Sequence, residues 1–447
     1  MRLFTRKLLD KSFSACAIMA VVFLTGFLFS VLTPIFIKGI GAYVFRGTVE
    51  YRQMIFDQFG RGDKKILKQE VSEVAKAREP VYSAISAFEK ELKTMSSERR
   101  RELKPVFREL REEISALFGP EPGKAQPVLP RMLYGETRWD RAQYRLRKVL
   151  FEETWDYSSE DDGVLVYMPR EPMFKGTSLE PVFDIFENKL PMLMKPRMTF
   201  YGRFLTDKSI DAHFFGGIGP EVMGTVYLAL TAMIIAIPLG VIAAIYFQEY
   251  AEDGFAMTFL RSCVNTLAGV PSIVFGLFGL AFFINTIKVS PGKSVLAGSL
   301  TLALLVLPTV IRSSEEAIAS VPRAYKEGAL ALGAGRWRTV LTVILPAALP
   351  GILTGTVISM GRAAGETAPI IFTAAVSVGR LSGPFEMLLQ DTPALSWNLY
   401  NICTEHEAVD QIRHVQYGMA FTLVALVLSL NLAAILIRAR VSRRLKG

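Results

Sequence analysis

Two long stretches of this chain carry no charge at all, and they limit its fold more than any other feature. Residues 13–37 and 222–248 are apolar or weakly polar throughout. A helix needs about 20 such residues to cross the hydrocarbon core of a bilayer. In that medium every backbone N–H and C=O must be satisfied internally, and a helix does this within one segment. A strongly polar stretch separates the two runs, so the chain joins membrane helices to a water-facing part. The hydrophobic share of 51% is an average over these two kinds of segment.

Six stretches are long and apolar enough to span: 13–37, 221–247, 262–287, 295–311, 347–375 and 417–437. The fourth is short, and the fifth contains Arg362 and Glu366. The expected fold is an all-α integral membrane protein with six transmembrane helices. Its parts are an N-terminus with the first helix (1–37), a large insert (38–215), a core of five helices with a loop at 312–346 (216–437), and a basic tail (438–447).

The net charge of +9 raises nucleic acid as a partner, but the basic residues sit in the wrong places. Arg2, Arg6, Lys7 and Lys11 precede the first span, and Arg438, Arg440, Arg443, Arg444 and Lys446 follow the last. Arg261, Arg312, Arg323, Lys326, Arg336 and Arg338 fall in the short loops on the same side, against Lys288, Lys293, Arg380 and Arg413 opposite. That bias is the positive-inside rule at work. It predicts both termini in the cytoplasm, the insert outside, lipid as the surrounding partner and no nucleic acid.

The insert reads as mainly helical. Residues 63–118 repeat apolar positions at helical spacing, with Pro80 and Pro105 expected at helix starts or kinks. A proline-rich link follows, then a helix over 139–154 and a short strand over 164–168. No catalytic constellation is present there, and a spacer or docking surface is the expectation.

Residues 312–346 are too long and too patterned for a plain connector. Ser320 is placed to cap a helix with Pro322 in its first turn, and Gly333 and Gly335 to stop or bend it. A second amphipathic piece, 337–345, leads back to the membrane. Glu327-Gly328-Ala329, then Gly333, then Val343, Leu345 and Pro346 resemble the EAA loop of binding-protein-dependent ABC importers. Gly328 and Val343 depart from that pattern only by small or β-branched replacements. The resemblance implies the type I ABC importer permease fold, with Glu327, Gly328, Ala329, Gly333, Leu345 and Pro346 coupling to an ATPase.

This chain has no nucleotide machinery of its own in sequence. Its only Gly-Lys-Ser, Gly292 to Ser294, has Ile287 where a phosphate-cradling loop needs its first glycine. His406 and His414 with Glu405, Glu407 and Asp410 do not form a metal-binding His-Glu-x-x-His. The chain is therefore read as a non-enzyme that binds no cofactor, with ATP and Mg on a separate ATPase subunit.

In the fifth span Arg362 and Glu366 stand four residues apart, on one helical face, and Pro369 follows them. Charges at membrane depth face a partner or a wet cavity. A guanidinium fork suits the oxygen edge of an oxyanion. Gly351 with Gly355, and Gly361 with Gly365, form small-residue repeats expected to pack against a partner subunit.

The run Gly365-Glu366-Thr367-Ala368-Pro369, with Arg362 before it, resembles the PstA permeases of phosphate ABC importers. Gly216 to Pro220, the run ending Glu249-Tyr250-Ala251, and Leu267 to Ser272 are similar to that family too. The resemblance covers about residues 214–437 and the first span, not the insert. It implies a substrate pathway at Arg362, Glu366 and Thr367. It also implies a bacterial inner-membrane location with the insert periplasmic. The implied partners are a second homologous permease, an ATPase dimer and a periplasmic phosphate-binding protein. Another oxyanion as cargo, or a sensor or scaffold of the phosphate system, is the alternative.

Overall fold

The computed structural model describes residues 2–156, 164–252, 254–376 and 384–446; Arg380 lies outside them. The chain divides into two compact units, Tyr43–Gly202 and the rest, Met1–Ala42 with Arg203–Gly447. Residues 38–42 and 203–215, assigned to the insert by hydropathy, group with the apolar unit.

Helix α1 (Arg2–Ile40) opens the chain. The smaller unit then runs β1 (Val44–Gly47), α2 (Val49–Phe59), α3 (Lys64–Thr94), α4 (Ser97–Phe118), the single turn α5 (Pro130–Leu133) and α6 (Trp139–Leu150). It continues with β2 (Phe151–Asp156), β3 (Val164–Pro169), α7 (Glu180–Met194) and β4 (Arg197–Phe200). Asp63 caps α3 by accepting from Lys65 N–H at 2.8 Å. Gly60 ends α2 at a φ of 65°, a conformation glycine adopts without strain.

One apolar stripe from each long helix forms the core. Val81, Ile85 and Phe88 of α3 meet Leu103, Phe107, Leu110, Ile114 and Leu117 of α4, with Phe183, Phe186 and Leu190 of α7 closing over them. Burying each such side chain stabilises the unit by about 1.5–3 kcal/mol. Pro80 and Pro105 lie inside continuous helices, not at their starts. The helix expected over 139–154 stops at Leu150. There the chain turns into β2, whose residues Phe151 to Asp156 pair antiparallel with β3. The chain is thus mainly helical rather than all-α, with two-stranded ribbons at β1–β4 and β2–β3 in this unit.

The larger unit contains α1, the ribbon β5 (Ser209–Ile210) and β6 (Phe215–Gly216), and α8 (Gly219–Ile245), which ends in a π-helical turn, Tyr246–Tyr250. Next come α9 (Phe255–Ala268) and α10 (Ser272–Gly279), the latter extended by a π-helical segment, Leu280–Thr286. Then follow α11 (Val295–Ala319), α12 (Arg323–Ala331) and α13 (Arg336–Thr339), which passes through π-helical Val340–Ile344 into α14 (Leu345–Gly365). Short helices α15 (Ala368–Thr373), α16 (Pro384–Met387) and α17 (Leu395–Thr404) precede the long α18 (Arg413–Lys446).

Among the described residues, five helices are long and apolar enough to cross a membrane. The third expected span, 262–287, is not one straight helix: α9 and α10 meet at 101°. Gly269 and Pro271 account for the break, because the residue before a proline is pushed out of the helical region. The fifth is also broken, after Gly365.

Helix α11 is the centre of this unit. Gly240 of α8 lies against Val310 of α11, and Gly355 and Gly351 of α14 lie against Ser313 and Ala317. A Cβ at any of these glycines would collide with its neighbour, so small residues set the helix spacing. The repeat at Gly351 and Gly355 therefore packs within the chain, and Gly361 packs near Asn431 of α18.

In the smaller unit, buried Arg78 of α3 pairs with Glu50 of α2, and its Nε donates to Leu193 O at 3.0 Å. Removing one member of a buried pair strands the other's charge, at a cost of about 3–5 kcal/mol. Arg78→Ala is expected to lose stability on that scale, read as a lower thermal midpoint of the purified chain together with faster proteolysis within residues 43–202.

Candidate functional site

Helix α12 stands away from the packed helices. None of its residues is buried, and Leu332 and Trp337 just beyond it are 91% and 61% exposed. Its sequence explains the shape. Pro322 precedes the helix as its N-cap residue, and Gly333 turns the chain out of it at a φ of 85°. Ser320 does not cap α12. It ends α11, its hydroxyl donating to Ala317 O at 2.7 Å, because the chain has not yet turned.

The predicted coupling residues fall into two groups. Glu327, Gly328, Ala329 and Gly333 share the projecting segment, with open space around Gly328, Gly333 and Gly335. Leu345 and Pro346 instead begin α14, half-buried. Leu345 packs on a cluster made by Ala244 and Ile245 of α8, Ala317 and Ile318 of α11, and Val340 and Ile344. Exposed aliphatic and aromatic side chains beside open glycines make a surface that another protein can approach closely.

A second group forms where α14 breaks. Glu366 leaves the helix in an extended conformation, and Thr367 precedes α15, which has Pro369 in its first turn. Arg362 Nε donates to Glu366 Oε1 at 3.2 Å, and both side chains remain partly exposed. Among the described residues the two terminal nitrogens of Arg362 make no hydrogen bond, so a fork held at one edge presents the other. The Ser396 hydroxyl of α17 donates to Glu366 O at 3.1 Å, fixing the break to a neighbouring helix. Arg362, Glu366 and Thr367 are thus brought together.

Two polar groups escaped sequence reasoning. Glu221, in the first turn of α8, is 1% exposed and accepts from Asn398 Nδ2 at 3.1 Å, with His213 Nε2 3.6 Å away. Its signal was a lone carboxylate opening a long apolar run. Glu249, in the π-helical turn after α8, pairs with Lys326 of α12 at 2.5 Å. No spacing rule links residues so far apart in sequence.

These features describe a helical protein of the membrane-spanning kind with a projecting, exposed segment. Residues 236–447 match the family described as binding-protein-dependent transport system inner membrane component. The probable ABC transporter permease protein YqgI of Bacillus subtilis is 36% identical over 241 residues, 52% of this chain and 81% of that protein. The phosphate transport system permease protein PstA 1 of Mycobacterium tuberculosis is 36% identical over 235 residues, 53% of this chain and 75% of that one. The probable phosphate transport system permease protein PstA of Methanocaldococcus jannaschii is 37% identical over 212 residues, 47% and 69% of the two chains. The chain belongs to this family of binding-protein-dependent transport permeases, in its PstA branch.

The contrast between packed and open glycines is testable. Gly355→Leu should destabilise the chain by about 1–3 kcal/mol or more through overpacking against Ser313. Gly328→Leu should leave the melting midpoint in detergent unchanged, because open space surrounds it.

Proposed function

We propose that the chain is the membrane-spanning subunit of an ATP-driven importer of inorganic phosphate. The observation that carries this reading is the 36% identity along three quarters of a permease named for phosphate transport. The break after Gly365 supplies matching chemistry: the free edge of Arg362, oriented by Glu366 and flanked by Thr367, suits a tetrahedral oxyanion. Another oxyanion would meet the same fork, and the relatives' names decide for phosphate.

In this reading α12 docks on a separate ATPase dimer that holds ATP and Mg, with Glu327, Gly328, Ala329 and Gly333 on the contact surface. A second permease completes the pathway, and a periplasmic binding protein delivers the ion. Both termini lie in the cytoplasm, and the unit of residues 43–202 faces the periplasm as a spacer or docking surface. ATP binding closes the ATPase dimer and drags α12, which tilts the helices packed on α11. The permease contributes the path and the docking surface, and hydrolysis occurs on the other subunit.

Labelled-phosphate uptake in cells lacking the chain tests the cargo. Wild type should restore uptake, and Arg362→Ala should restore tenfold less or below, as expected when a charge-assisted contact of about 1.5–3 kcal/mol is lost. Full uptake without the chain sinks the transport reading, whereas normal uptake by the variant sinks only the role of Arg362. For docking, Gly333→Trp should lose the ATPase on co-purification, and retention at normal strength would count against α12 as the contact.

A further inference from the structure

The chain joins α12 to the membrane helices at both ends, to α11 through residues 320–322 and to α14 through α13, and the structure adds a lateral connection to α8. Lys326 Nζ of α12 lies 2.5 Å from Glu249 Oε2, and the Glu249 side chain is only 12% exposed. Glu249 sits in the π-helical turn Tyr246–Tyr250 that ends α8. In the same turn the Phe247 carbonyl accepts from Arg261 Nη2 of α9 at 3.2 Å. Arg261 in turn lies 3.6 Å from Glu315 of α11, and Arg312 of α11 donates to Asn265 of α9 at 3.0 Å. Phe247, Arg261, Asn265, Arg312 and Glu315 wall a polar cavity of about 360 Å³ beside the turn.

Three properties make this more than a surface ion pair. Pairs in water are screened and contribute little, but a carboxylate this covered is held in place. The pair also joins the exposed segment to α8, a helix to which the chain does not connect it directly. Finally, its anchor is a π-helical turn, a widened geometry that recurs at functional sites and yields more readily than a regular helix.

We propose that Glu249 and Lys326 are a mechanical tie that carries the displacement of α12 directly to α8, and through Arg261 to α9. The proposal rests on α12 being the ATPase contact. Glu249 is then a positioning residue for coupling, touching neither cargo nor nucleotide. Cutting the tie leaves the ATPase bound and turning over while α8 follows incompletely, so phosphate moved per ATP falls.

The experiment uses the full importer in proteoliposomes with its binding protein and inorganic phosphate. It measures phosphate taken up per ATP hydrolysed, alongside the ATPase retained on purification. Glu249→Gln and Lys326→Gln should each lower that ratio roughly threefold or more with the ATPase fully retained, and the two together no further, as expected of residues acting as one unit. The exchange Glu249→Lys with Lys326→Glu should recover most of the ratio, which a merely structural role for either side chain would not give. An unchanged ratio in the single variants overturns the proposal, as does an exchange that recovers nothing. Loss of the ATPase from Glu249→Gln also overturns it, by placing the pair in docking. Failure of docking itself is read separately, from Gly328→Leu, which has open space around it and no part in the pair: loss of the ATPase there with the Glu249 variants retaining it separates docking from coupling.

Discussion

Close approach to α11 sets the geometry of everything else in the membrane unit. Gly240, Gly351 and Gly355 bring α8 and α14 against its C-terminal half, while Gly279 of α10 and Gly298 of α11 itself bring Thr301, Thr373 and Ala374 together at the other. Where the solvent is apolar, packing rather than hydrophobic exclusion holds helices together, so the spacing that small residues allow has large consequences. Both candidate sites hang on this rod. Ser294, its N-cap residue, donates its backbone N–H to Thr373 O of α15, beyond the break that holds Glu366. Ala317 and Ile318, near its end, belong to the cluster on which Leu345 packs, beyond the projecting α12. A helix of 25 residues spans about 37 Å at 1.5 Å per residue, so one element reaches from the neighbourhood of one site to that of the other.

How much of this was legible depends on whether the signal was local. Charge-free runs are local, and each of the six stretches corresponds to a spanning helix or to the bent α9–α10 pair. The Arg362–Glu366 pairing followed from four-residue spacing, and the turn at Gly333 from the demand for a positive φ. Direction was not legible: a hydropathy window crosses Gly269 and Pro271 without registering a 101° bend. Nor was the partner of a glycine repeat. Gly351 and Gly355 announce close packing, but only the fold shows that α11 takes the place expected of another subunit.

The smaller unit shows the same boundary from the other side. Its amphipathic stripes were readable because water rewards a period of 3.6, and α3 and α4 follow it closely. Pro80 and Pro105 do not start helices, because packing on both sides of each proline carries the helix through the lost hydrogen bond. Phe151 to Asp156 became a strand because Val164 to Pro169 lies across from it, a long-range pairing that outweighs local propensity.

The exposure of Arg362 bears on what covers the broken helix. An arginine facing lipid at membrane depth costs about 2.5–3.5 kcal/mol on insertion scales and more on others. Glu366 offsets part of that charge, but it reaches only Nε, leaving the terminal nitrogens to be satisfied by something polar. Hydrocarbon offers no such partner. The surface carrying Arg362, Glu366 and Thr367 therefore faces water, an anion or a polar protein surface. A path shared between two permeases supplies all three, whereas a helix packed only against lipid supplies none.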